Sequence, residues 1–183
     1  MRTGALKNVI LAATLIAALA TPALARQFTD AEKTGLADAV QKFDDAMKGN
    51  DFNAVVDASI SPKLMAAMAT KYNVPADQLK TMVVDQMTKA MQAVKIDSYG
   101  MDIGTTDYEE AKDGTPYALV PSAVVMEIGG KKMKSSGSTL AIIDDDKWYL
   151  LNVGQKDQVD MLKSVYPSFA DVTFPEAKME AAQ

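Results

Sequence analysis

The sequence predicts an α+β domain: N-terminal helices packed on a strongly bent four-stranded antiparallel sheet, closed by a short C-terminal helix. Two observations predict the class and a third predicts the bend. Apolar residues recur at helical spacing between Thr29 and Val94, and the pattern turns strand-like from Lys95 onward. The stretch Tyr117 to Val153 then reads as three strands joined by Gly129-Gly130 and by Asp144-Asp145-Asp146-Lys147. Within that stretch the apolar residues change sides part-way along.

The change of sides follows from pairing the strands. A two-residue Gly-Gly loop favours a tight hairpin, because primed turns need positive φ. It sets Ile128 opposite Lys131, Glu127 opposite Lys132 and Met126 opposite Met133. Further along, Val124 faces Ser135, Leu119 faces Leu140 and Tyr117 faces Ile142. Near the turn the apolar set is Val124, Met126, Ile128 and Met133; the opposite face carries Glu127, Lys132 and Lys134. Farther away the weight moves to Tyr117, Leu119, Leu140 and Ile142. A strict period of two cannot switch faces without a break. Pro121-Ser122 and Gly137 stand where the switch falls, and such residues mark bulges and interrupted ladders. The expected result is long strands that bend sharply there, so that the sheet wraps around a pocket.

Each element has a local cause. Residues 1–25 read as a secretory signal, with Arg2 and Lys7 before the apolar run Val9 to Ala20 and a small-x-small cleavage site, Ala23-Leu24-Ala25. The expected location is periplasmic, with cleavage after Ala25 and a single domain over 26–174. The first helix opens on Thr29, with Glu32 placed for a capping box, and carries Leu36, Val40, Phe43 and Met47 before Gly49. A short helix follows near Asn53 to Ser59. Ser61-Pro62 opens another that stops near Asn73. Pro75 starts the longest, whose face of Leu79, Met82, Val83, Met87, Ala90, Met91 and Val94 is wide enough to lie on a sheet. A first strand is expected from Lys95 to Thr106, then a polar loop from Asp107 to Pro116 with an Asp113-Gly114 turn. Gln158 to Val165 reads as the C-terminal helix, Tyr166-Pro167 as its stop, and Pro175 to Gln183 as a frayed, flexible tail.

Composition narrows the function. Removing residues 1–25 leaves 158 of 183 residues and takes the net charge from −5 to −7, since that segment holds two basic residues and no acid. So acidic a chain is unsuited to nucleic acid or, once the signal is cleaved, to an anionic membrane surface. The sequence contains no cysteine and no histidine, which removes disulfides, thiolate metal sites, cysteine nucleophiles and histidine bases. Gly129-Gly130 has no following helix and is no phosphate loop. Asp144-Asp145-Asp146 is read as a solvated four-residue turn rather than a calcium loop, and Glu109-Glu110 as an exposed loop pair. Methionines such as Met65, Met68, Met82, Met87 and Met91 follow the helical period of a core face. An adaptable apolar pocket is the functional counterpart, and thioether copper(I) ligation a remoter one. No metal and no cofactor is called for.

A helical hairpin broken at Lys48-Gly49-Asn50-Asp51-Phe52, long curved strands, and a turn into Lys147-Trp148-Tyr149-Leu150-Leu151 together resemble the nuclear-transport-factor-2-like superfamily over about residues 29–154. The resemblance implies an α+β cone whose helices and curved sheet enclose a pocket. The superfamily contains isomerases, dehydratases and binding domains, so the fold alone does not select among them.

Three functions are carried forward. The first is a non-catalytic periplasmic binding protein, with a pocket between the Pro75–Val94 helix and the bent sheet for a small apolar ligand or a protein segment. Tyr99, Met101, Tyr117, Met126 and Trp148 are its candidate lining or rim residues; Trp148 has capping the core as its alternative. The second is an isomerase- or dehydratase-like enzyme using an acid and a tyrosine, with Asp102 or Asp107 as the acid and Tyr99, Tyr117 or Tyr149 as the phenol. The third is an inhibitor or immunity-type protein that blocks another secreted protein. A free sheet edge would also permit a homodimer.

Overall fold

A computed structural model describes residues 28–182. The signal segment and its cleavage site lie outside the described residues. Five helices and a curled antiparallel sheet, a half-barrel of six strands, form an α+β fold with the helices mostly N-terminal and a short helix near the C-terminus.

The helices begin and end where their caps dictate. Helix α1 (Asp30–Gly49) opens on a reciprocal capping box between Thr29 and Glu32, and Asn50 rather than Gly49 takes the left-handed position that ends it. Asp51 caps α2 (Phe52–Ser59). Ser61 caps α3 (Pro62–Tyr72), which Asn73 closes in the left-handed conformation. Helix α4 spans Ala76–Ala93 and α5 spans Lys156–Val165. Helix α1 faces the sheet through Leu36 and Val40, both buried. Burial of one such side chain contributes about 1.5–3 kcal/mol. Helix α4 behaves differently from the sheet-covering helix its apolar face predicts. It packs on α2 and α3; of its apolar residues Leu79 is buried while Met82 is exposed.

The sheet is organised by two long strands, β3 (Pro116–Ile128) and β4 (Lys131–Asp144). Their register is the one the Gly-Gly turn dictates, from Ile128↔Lys131 to Tyr117↔Ile142. Gly129 and Gly130 both have positive φ, 58° and 77°. The outer edge of β3 carries two short strands end to end, β1 (Lys95–Met101) and β2 (Asp107–Glu110). The outer edge of β4 likewise carries β5 (Lys147–Asn152) and β6 (Lys178–Ala181).

Three expectations about local structure change here. Strand β1 ends at Met101, and a 3-10 turn over Ile103–Thr105, capped by Asp102, re-aims the chain. The segment expected as a polar loop contains β2, whose Tyr108 packs 4.9 Å from Phe28, ring centroid to centroid; Glu109 and Glu110, expected as an exposed loop pair, lie in this strand, with Glu109 exposed and Glu110 half-buried. The tail expected to fray contains β6, which pairs with Met133–Ser136 of β4. The sheet therefore has six strands rather than four.

The ladder between β3 and β4 runs unbroken through Pro121↔Ser138 and Ser122↔Gly137. The one register shift in the sheet lies between Ile96 and Ser98 of β1. The apparent change of sides has another cause: far from the turn both faces are buried. Tyr117, Leu140 and Ile142 join Tyr149, Leu162 and Phe169 on one face. On the other, the small residues Ala118, Ala141 and Val120 lie under Leu36, Val40 and Trp148.

The second hairpin turn is tighter than a four-residue loop. Asp144 pairs with Lys147, and Asp145 and Asp146 both have positive φ, as a two-residue primed turn requires. Asp144 is drawn into the protein. Its carboxylate accepts from the Tyr166 hydroxyl at 2.8 Å and from Lys63, and Tyr166 also meets the buried Ser61 hydroxyl. This network ties the start of α3, the end of β4 and the end of α5 together.

Candidate functional site

Because α4 rests on helices, it stands off the sheet and leaves a cleft of about 820 Å³ between helices and strands. Its helical wall is apolar. Phe43 and Met47 come from α1, Val55 and Ile60 from the α2 region, Leu64 and Met68 from α3, and Val83, Met87 and Met91 from α4. With Met161 of α5, five methionines line the space, and thioethers adapt to irregular apolar partners.

The strand wall has another character. Ser122 and Val124 of β3 pair with Gly137 and Ser135 of β4, with Ser138, Thr139 and Asn152 alongside. The hydroxyls of Ser122, Ser135, Ser138 and Thr139 have no hydrogen-bond partner among the described residues. Asn152 is engaged, its Oδ1 accepting from the Gly154 amide at 2.8 Å. Ala177 lines the cleft where β5 ends and β6 begins, close against Gly137 and Gly154. A Cβ at Gly154 would come within 2.9 Å of the Ala177 Cβ, so that crossing needs glycine.

The mouth is charged. Lys71 and Tyr72 at the end of α3, and Asp157, Gln158 and Asp160 of α5, are exposed lining residues. Asp160 is paired with Lys156. Neither Lys71 nor Asp157 makes an ion pair among the described residues, although the Lys71 ammonium lies 5.8 Å from the Tyr72 ring centroid.

Of the five residues singled out from sequence, Tyr99 lines the cleft, tilted against Phe43 with ring centroids 5.9 Å apart. Met126 lies on the same face of β3 as Val124, one pair nearer the turn and outside the lining. Met101 packs instead on the core beneath α1. Tyr117 is buried edge-on against Phe169 at 5.3 Å. Trp148 caps the α1 side of the core: its ring stacks on Phe28 at 6.0 Å and its indole N–H donates to the Glu32 carbonyl at 3.2 Å. The closing segment from α5 through Phe174 fills the face around Tyr117, so the open space lies elsewhere.

The candidate acids lie outside the cleft. Asp102 accepts from the Gly104 amide at 2.9 Å and from the Thr105 hydroxyl at 2.8 Å, as the cap of its 3-10 turn. Asp107 is exposed at the start of β2. Sequence reasoning passed over Asp44. Its Oδ1 is buried with no hydrogen-bond partner among the described residues. Burial pushes its carboxyl above the usual range, and Lys48 opposes this. Burial, then the charge of Asp44, raises the Tyr99 phenol. Position Asp44 next to the pocket residue Phe43 was the available signal, but in one dimension it sits among the polar residues of an amphipathic helix.

Among the described residues no group of three or more His, Cys, Asp or Glu could hold a metal ion, and no helix is long and apolar enough to cross a membrane. No known family, no curated protein and no solved structure matches the chain.

Proposed function

We propose that this protein is an exported, non-catalytic binding protein that holds a small apolar ligand in the cleft between α4 and the curled sheet. The observation that carries the reading is the cleft itself: about 820 Å³, within the range of ligand sites, with an apolar wall of methionines, Phe43 and Tyr99. The N-terminal segment supports export to the periplasm. The curled sheet, with helices enclosing a space, supports the proposed kinship with the nuclear-transport-factor-2-like superfamily. The experiment is a titration with a fluorescent dye of apolar ring system, the anion 8-anilinonaphthalene-1-sulfonate, against the wild type and Val124→Trp, which fills the sheet wall. The expected result is saturable binding that weakens by about tenfold or more in the variant while the circular dichroism stays native. Equal binding by both proteins would overturn the reading.

A second reading, an acid–tyrosine enzyme, is favoured by one observation: a carboxylate oxygen of Asp44 is buried without a partner beside the lining residue Tyr99. The chemistry would need the raised carboxyl to give or take a proton. Asp44→Asn separates the readings. It leaves dye affinity unchanged if the cleft only binds, and abolishes turnover of any substrate found if Asp44 is the acid.

A further inference from the structure

We infer that the cleft takes a single-chain amphiphile with a zwitterionic head group, the chain lying on the methionine wall and the head held at the mouth between Lys71 and Asp157. This rests on the cleft-binding reading and adds the class of ligand.

The cleft is polarised from end to end. Its α4–β1 end is bounded by Phe43, Met47, Met87, Met91, Tyr99 and Val124, with no charged group in the lining. At its other end the lining becomes exposed, at the end of α3 and the start of the neighbouring α5, and all the charged lining residues stand there. A ligand complementary to both ends has an apolar tail and a charged head.

The sign of the head follows from which charges are already satisfied. Lys156 pairs with Asp160 on the same helix and also feels the charge of Asp157, so one cation answers two carboxylates and this end of α5 keeps one net negative charge. That leaves one cation, Lys71, and one anion, Asp157, each exposed and without an ion pair among the described residues. They stand on facing helices. A head of one sign would meet attraction from one helix and repulsion from the other; a head carrying both signs satisfies both. Between tail and head, the partnerless hydroxyls of Ser138 and Thr139 offer donors to ester or hydroxyl oxygens.

The test holds the chain constant and changes only the head. Dodecylphosphocholine, dodecanoate, dodecyltrimethylammonium and dodecyl maltoside are titrated below their micelle concentrations by calorimetry. The zwitterion is expected to bind about tenfold tighter than the other three, as one charge-assisted contact more would give. Lys71→Gln should remove that advantage and strengthen the cationic amphiphile, which no longer meets a like charge. Asp157→Asn should weaken the zwitterion and the cationic amphiphile together. Both positions are exposed, and circular dichroism verifies that the variants fold. Four equal affinities, or a preference for the zwitterion that survives both substitutions, would overturn the head-group assignment and leave the apolar cleft standing. Failure of all four to bind would instead remove the cleft-binding reading beneath it.

Discussion

The Tyr166 hydroxyl donates to Asp144 Oδ2 at 2.8 Å, across 22 positions of sequence. It joins the end of α5 to a carboxylate that is almost fully buried. A hydrogen bond to a charged group is worth about 1.5–3 kcal/mol. Tyr166→Phe removes that donor and also one partner of the buried Ser61 hydroxyl, which keeps the Leu64 amide. The expected outcome is a loss of about that size in urea unfolding, with the midpoint lowered and the slope unchanged. A loss under about 0.5 kcal/mol would show that Lys63 and Ser61 satisfy the carboxylate without Tyr166.

Asp144 also sets an acid limit. Burial pushes its carboxyl up, but hydrogen bonds from Lys63 and Tyr166, the Lys63 charge and Ser61 outweigh it and hold it below the usual range. A carboxylate lowered on folding contributes stability that is complete above its unfolded value, about 3.9, and is lost as pH falls through the lower folded value. Thermal melts of the wild type should therefore lose stability over that acid interval. Asp144→Asn, less stable at neutral pH, should show a shallower fall. Parallel curves for the two proteins would remove Asp144 as the cause.

Asp44 has the opposite sign. Its carboxyl is raised by burial, so its ionised form opposes folding at neutral pH, and the penalty is relieved as pH falls through the raised folded value. Asp44→Asn should melt higher than the wild type at neutral pH. The difference should shrink on acidification. A variant that melts lower at neutral pH would indicate that the carboxylate is engaged in a favourable contact.

Two glycines make room for specific neighbours. A Cβ at Gly35 would lie 3.2 Å from Trp148 Nε1, and one at Gly154 would lie 2.9 Å from the Ala177 Cβ. Gly154→Ala should displace the chain at Ala177 and loosen β6, read as faster hydrogen exchange at Lys178–Ala181 with β5 protection retained. Gly35→Ala should instead disturb the indole and its bond to Glu32, read as a shift in tryptophan emission. Unchanged exchange in the first variant, or unchanged emission in the second, would contradict the packing.

Truncation after Glu176 tests the strand at the C-terminus. It uncovers the β4 edge at Met133–Ser136, and an open edge invites pairing with other chains. The shortened protein should keep its helical signal and gain a concentration-dependent oligomer in sedimentation. A strictly monomeric product would show that the edge is protected in another way.

Much of this architecture was legible because it is local. Thr29 with Glu32, and Ser61 with Pro62, announce helix starts through caps that need only neighbours. Gly129-Gly130 fixes a register because a two-residue primed turn leaves one pairing. The elements that were missed depend on distant partners. The Asp-Tyr-Glu-Glu run of β2 and the Lys-Met-Glu-Ala run of β6 have little strand character; each is a strand because a long neighbour offers an edge. The apparent change of sides misled for a related reason. Alanines at 118 and 141 look neutral in one dimension, yet they are the floor on which α1 lies. Of the site, the helix–sheet location was readable from the methionine stripe and Tyr99. Asp44, Lys71 and Asp157 were not, since each looks like an ordinary solvated charge until the fold sets it beside the cleft.

Trp148, the only tryptophan, stacks on Phe28 on the α1 side of the core, apart from the lining of the cleft. Intrinsic emission will therefore follow unfolding, and the seating of α1, with high contrast, while remaining nearly silent to an occupant beside α4. A screen read through that signal would discard true ligands. Tyr99 and Tyr72 are the native chromophores in the cleft lining, Tyr99 lying at its apolar end, and Tyr99→Trp with Trp148→Phe would turn the protein into its own sensor.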